Sequence, residues 1–190
     1  MNGEDECVAA LERHVRKFWD GHIVEPAPWG AGPIHERVPK FMVYRIFPER
    51  AGEAWVYVTV GSSIGDKSSN GVEFFIMSPV ALECHSETLA MVSHYNSYEA
   101  HRLTVGSVIS IGRPWMPGSR MEHLLVSLPY PYGPKLEWSP PEAGSARFLW
   151  LLPIHKREAD FIRHGSLDEF EEILDSKAVN VLDPDRDPVL

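Results

Sequence analysis

The chain opens with apolar residues at helical spacing. Val8, Leu11, Val15 and Phe18 recur every three or four positions between Asp5 and Trp19, and Glu12, Arg13, Arg16 and Lys17 fall between them. This pattern predicts an amphipathic helix. Acidic residues in its first turn and basic ones near its end suit the helix dipole, and Gly21 supplies a stop. Residues 22–39 carry Pro26, Pro28, Gly30, Gly32, Pro33 and Pro39, and they predict a long connector packed by Ile23, Val24 and Trp29. Strand patterns follow at Phe41–Phe47, Ala54–Val60 and Val72–Ser78, with turns at Pro48–Gly52 and Ile64–Gly71. Connections this short favour antiparallel neighbours.

Ser86–Arg102 predicts a central helix with Leu89, Val92, Tyr95 and Tyr98 on one face. Beyond it come strands at Ser107–Ile111 and Glu122–Leu128, then a proline- and aromatic-rich excursion over residues 129–145. The strand Ala146–Leu152 is expected to end at Pro153, which lacks a ladder donor. His155–Arg163 reads as helix, and Ser166-Leu167-Asp168-Glu169 as the capping box of another. The tail from Asp183 is polar and broken by proline, which predicts poor order over 183–190. Together these elements predict one domain over residues 1–182 of the α+β (mixed α/β) class, with helices covering a single, largely antiparallel mixed sheet.

Composition narrows the function. The apolar fraction of 44% and charged fraction of 24% are those of a globular protein, and no apolar run reaches the length of a membrane span. An acidic N-terminus without a hydrophobic stretch does not read as a signal peptide. Cys7 and Cys84 read as reduced thiols, so a cytoplasmic location is expected. A net charge of −9 argues against nucleic acid as the partner. It favours encounter with a cationic protein, although the same acidity also serves solubility.

Three chemistries are weighed. Gly61-Ser62-Ser63-Ile64-Gly65 fits G-x-S-x-G, but a nucleophile elbow needs a helix directly after the serine. Here Asp66-Lys67-Ser68-Ser69-Asn70-Gly71 is turn chemistry followed by a strand, so the unit reads as strand–loop–strand. Cys84 sits near a predicted helix start, where a thiolate is stabilised. His85 beside it points to another helix face and would be a poor base. Among the nine histidines, His94 and His101 form the only local cluster with Cys84-His85. They would be about 10 Å apart along a helix, too far to share one small ion. No P-loop or dinucleotide motif follows a strand, and no cofactor is expected. The aromatic-rich loops hold Trp115, Met116, Tyr130, Tyr132 and Trp138, residue types enriched in protein interfaces, and these are the candidate partner-binding residues. The competing reading is that they complete the core.

Two stretches carry a family resemblance. Thr59, Gly61 and Ser63 end one strand; Gly71, Glu73 and Phe74 open the next; Leu151, Leu152, Pro153, Ile154 and Glu158 follow much later. In order and spacing this resembles bacterial Suppressor-of-fused-like (SUFU) domains from roughly Phe41 to Leu174. Leu82-Glu83-Cys84-His85-Ser86 departs from the Trp/Pro-rich helix start common in bacterial members. The resemblance implies a mixed sheet flanked by helices and a non-enzymatic protein-binding role. Bacterial relatives are placed among immunity proteins that neutralise toxins, and the eukaryotic branch holds a transcription factor inactive. The implied partner here is a protein, such as a cationic toxin domain. The alternative is a hydrolase using Ser63 or Cys84.

Overall fold

The computed structural model describes residues 3–28, 32–64 and 71–190. Trp29 and Gly30 of the connector, and most of the turn expected over Ile64–Gly71, lie outside the described residues. The first helix, α1, runs Gly3–Phe18. Seven strands form one sheet: β1 Val24–Pro26, β2 Met42–Ile46, β3 Trp55–Val60, β4 Val72–Ser78, β5 Val108–Ser110, β6 His123–Ser127 and β7 Arg147–Ile154. Their order is β1-β2-β3-β4-β7-β6-β5, and only the β4–β7 pair is parallel. The remaining helices are α2 Ile34–Arg37, α3 Cys84–Asn96, α4 Pro134–Glu137, α5 Lys156–His164 and α6 Leu167–Ser176. The mixed α+β class read from the sequence is the observed one.

The central strands are apolar at nearly every position because helices cover both faces. Val56, Val58, Val60, Phe75, Met77, Phe148, Trp150 and Leu152 point to one side, where they meet Leu11 and Val15 of α1, Leu136 of α4, and Phe170 and Leu174 of α6. The alternate residues Tyr57, Phe74, Ile76, Leu149 and Leu151 point to the other, against Ile34 of α2 and Leu89 and Val92 of α3. This period-two division places each side chain of a strand in one of two cores.

Four expectations are corrected. The connector contains β1, an edge strand paired with β2, and the short helix α2. The central helix stops at Asn96, because Asn96 Oδ1 accepts from Leu103 N at 2.8 Å and Ser97 Oγ donates to His94 O at 2.7 Å. Such local side-chain bonds compete with helix propagation, so His101 falls in a separate 3₁₀ turn, Glu99–His101. Strand β7 continues through Pro153 to Ile154. By then it has passed its last register with β4, Phe75↔Trp150, and has β6 alone as neighbour, where a proline is tolerated. Finally, the tail from Asp183 is packed rather than loose. Arg186 is buried, and Ser119 Oγ donates to Pro184 O at 2.8 Å.

Candidate functional site

The serine of G-x-S-x-G is buried and its hydroxyl is committed to Glu73. Glu73, at the start of β4, is buried. Its carboxylate accepts from Gly61 N at 3.0 Å, Ser62 N at 3.2 Å, Ser63 N at 3.0 Å, Ser63 Oγ at 2.7 Å and Thr59 Oγ1 at 2.5 Å. Successive amides converging in this way form a nest for an anion. The positive φ of Gly61 turns the chain into it. Thr59 Oγ1 also accepts from Phe74 N at 2.9 Å, so its own proton goes to Glu73. Burial pushes the Glu73 carboxyl up, against the pull of the Thr59, Ser63 and Gly61 hydrogen bonds. Gly71 is needed because a Cβ there would lie 2.6 Å from both Ser63 Cβ and Ser63 O. The motif therefore builds a buried carboxylate hub, and the next described element after Ser63 is strand β4 rather than a helix.

Cys84 and His85 diverge, as adjacent helix residues must. Cys84 Sγ faces Trp115 O at 3.9 Å. His85 is buried with its ring 5.2 Å from that of Tyr57 and 5.5 Å from that of Trp115. Its Nε2 meets Ser78 Oγ at 2.9 Å. Ser78 Oγ donates to Val80 O at 2.8 Å, so Nε2 carries the proton. Burial and the neighbouring Arg113 push this imidazole down to about 4. A neutral histidine whose Nε2 is spent on Ser78 and which is turned away from the thiol cannot activate it. His94 and His101 instead pack on Tyr98 and Tyr95. Among the described residues no three His, Cys, Asp or Glu side chains are grouped to hold a metal ion.

The second half of the resemblance also ends in a buried glutamate. Glu158 Oε2 accepts from His155 N at 2.8 Å, closing the first turn of α5, and Oε1 accepts from Val189 N at 3.0 Å. Arg186 completes its shell. His155 Nε2 meets Arg186 O at 2.9 Å, which fastens the tail a second time.

The five candidate aromatic and methionine residues separate into two sets. Trp115 is 1% exposed and Met116 7%, and both belong to the core on the α3 side. Tyr132 packs beneath α1, with ring centroids 5.6 Å from Phe18 and 5.4 Å from Trp19. These three complete the core. Tyr130 and Trp138 remain, at 57% and 44% exposed. Tyr130 stands at the start of the excursion and Trp138 near its middle, and the excursion runs between α1 and α6: Tyr130 Oη donates to Glu171 of α6 at 2.8 Å, and the α4 residue Leu136 bonds His14 of α1.

Tyr130 overlooks a groove of about 400 Å³ walled by Trp150 and Leu152 of β7, Leu174 of α6, and Val179 and Val181. Its acidic rim is Glu171 and Asp175. Partial burial and the carboxylates of Glu171, Asp168 and Asp175 push the Tyr130 phenol up to about 12. Trp150 Nε1 and Glu171 Oε1 are both buried without a hydrogen-bond partner among the described residues. The wall of this groove thus holds one unmade donor and one unmade acceptor. Sequence reading missed Glu171 and Trp150, since one looked like solvated helix surface and the other like ordinary strand.

Comparison with known proteins agrees with this architecture. The sequence profile described as Suppressor of fused protein (SUFU) matches residues 38–187. The chain belongs to the SUFU family. A SUFU homologue of Neisseria gonorrhoeae shares 35% identity, with a TM-score of 0.87 over 98% of this chain and 97% of that one. The Sufu–Fu complex structure matches at 12% identity and TM-score 0.68, over 96% of this chain and 91% of that one. Drosophila Suppressor of Fused matches at 12% identity and TM-score 0.54, over 90% of this chain and 46% of that one. At that identity the last two speak for the fold alone. No curated protein matches the sequence. SUFU domains are in general non-catalytic protein-binding modules, and the two buried glutamate hubs are what the SUFU motifs of this chain build. No helix among the described residues is long and apolar enough to cross a membrane.

Proposed function

We propose that this SUFU domain is a non-catalytic binding protein of the immunity type, which captures a cationic toxin domain and holds it by occlusion. The observation that carries this reading is the groove at Tyr130. An exposed, rigid aromatic is held by Glu171 over an apolar floor, with Asp175 on the same rim. Tyrosine is a residue of interface hot spots, and a basic side chain entering here meets two carboxylates beside apolar surface. The overall charge of −9 steers such a partner toward it. That one structural relative is known from a complex, Sufu–Fu, supports partner capture as the mode of action.

The test is affinity capture from the native host with the tagged chain, beside a Tyr130→Ala/Glu171→Lys variant, with co-purifying proteins identified by mass spectrometry. A stoichiometric basic partner held by the wild type and lost by the variant is the expected result. Co-expression should then relieve the partner's toxicity with the wild type and not with the variant. A partner retained in full by the variant would move the interface away from Tyr130, and a partner without toxicity would remove the immunity assignment.

A further inference from the structure

Trp138, the second exposed aromatic of the candidate set, lies at a groove of opposite charge. This groove, about 810 Å³, runs between α1 and the α4 segment and is lined by Arg13, Lys17, Lys135, Phe18, Trp138 and Pro140 among others, with Glu142 as its acid. In a chain carrying nine more negative than positive charges, three cations on one concavity are a local reversal. Arg13, Lys17 and Lys135 form no ion pair among the described residues, whereas the nearby Arg147 is neutralised by Glu137 at 2.7 Å. Arg147 in turn lies over the Trp138 ring, 5.3 Å from its centroid, and fixes it in place. The wall also holds His14, whose ring packs on Phe148 at 5.4 Å and whose Nε2 is buried without a partner.

From this we infer that the α1–α4 groove is a second docking site, which takes an acidic, extended segment of a partner protein with an apolar residue set against Trp138. The spacing argues for an extended chain. Arg13 and Lys17 stand one helical turn apart, about 6 Å along the axis. Side chains two apart on an extended chain repeat at about 6.6 Å on one face, so acid-x-acid places consecutive carboxylates on the two cations. Cations spread along a helix face at this repeat suit a row of carboxylates on an extended chain.

The experiment uses fluorescence anisotropy of the full chain with a labelled peptide, Glu-Leu-Glu-Leu-Glu-Leu-Glu, and with a labelled oligothymidylate of equal charge. The peptide should bind saturably and more tightly than the oligonucleotide. Arg13→Glu/Lys17→Glu should weaken it by about tenfold or more. Trp138→Ala should weaken it separately, and Glu171→Lys should leave it unchanged, which keeps this site distinct from the Tyr130 groove. Thermal melts establish that the variants, all at exposed or half-buried positions, fold as the wild type does. Peptide binding untouched by charge reversal overturns the site. Equal loss with Trp138 intact and no effect of Trp138→Ala overturns the apolar contact. Preference for the oligonucleotide overturns the peptide in favour of nucleic acid.

Discussion

Glu158 and Arg186 form a buried, two-pronged ion pair: Nη1 donates to Oε1 and Nη2 to Oε2, each at 2.7 Å. The pair ties the end of the chain to the first turn of α5 and gives an otherwise polar tail its fixed path. Removing one partner leaves an uncompensated charge in the interior, so Arg186→Met should cost about 3–5 kcal/mol in chemical denaturation. Arg186→Met combined with Glu158→Gln should cost less than Arg186→Met alone, because the stranded charge is gone. The hydrogen bonds of Arg186, Val189 and His155 hold the Glu158 carboxyl below its usual range despite burial. The sign follows: this contribution is full above the ordinary glutamate range and is lost as the pH falls through the lowered value. A double variant as unstable as the single one would show that packing, not charge, fixes the tail.

The Ser63–Glu73 bond gives a prediction of another kind. Ser63→Ala removes one donor from a buried carboxylate and should destabilise by about 1.5–3 kcal/mol, as hydrogen bonds to charged groups do. Gly71→Ala should be at least as harmful, since the new methyl would displace Ser63 itself. A serine-directed phosphonate probe should not label the wild type. Stoichiometric labelling at Ser63 would restore the hydrolase reading.

Much of this was legible in the sequence because it is local. The alternation in β3, β4 and β7 and the spacing in α1 encode which face each residue takes. The turn after Ser63 argued against an elbow before any geometry was known. What escaped notice depends on residues far apart in the chain. Nothing near Arg186 announces Glu158, 28 positions earlier, so the tail read as loose. Trp115 and Tyr130 look equally interfacial as loop aromatics. Trp115 is buried because His85 of α3 and Ser119 provide its neighbours, the latter accepting from Trp115 Nε1 at 3.1 Å. Likewise Glu171 gains its place at a groove only when the excursion brings Tyr130 across to α6.

His85 should set the acid limb of the stability curve. Its ordinary value is 6.5 and its folded value is about 4, so the unfolded chain binds the proton first. Stability from this group is full above 6.5 and declines as the pH falls toward 4. The fall is on the order of 3 kcal/mol over that window. Its Nδ1 is buried with no partner among the described residues, so a proton there would be an unmet donor. His85→Gln, able to keep a bond to Ser78, should be less stable than wild type near neutrality and show a flatter profile between pH 6.5 and 4. Parallel curves for the two proteins would remove His85 as the source.

The end of α6 is built as a glycine cap without a glycine. Ala178 N donates to Asp175 O at 3.1 Å and Val179 N to Leu174 O at 3.3 Å, the paired bonds of a Schellman motif. Ala178 accordingly sits at φ 48, in the left-handed region where a Cβ is costly. The turn is retained because Val179 packs beside Leu174 and forms the wall of the Tyr130 groove. Ala178→Gly removes the steric cost at the position where glycine is preferred, and should stabilise the protein by about 1 kcal/mol. Because the motif's two bonds use the backbone alone, the path of the chain should be kept, and the groove should lose only the Ala178 methyl from its lining. A thermal melt of Ala178→Gly at or below the wild-type midpoint would mean that α6 leaves its last turn by a different backbone path.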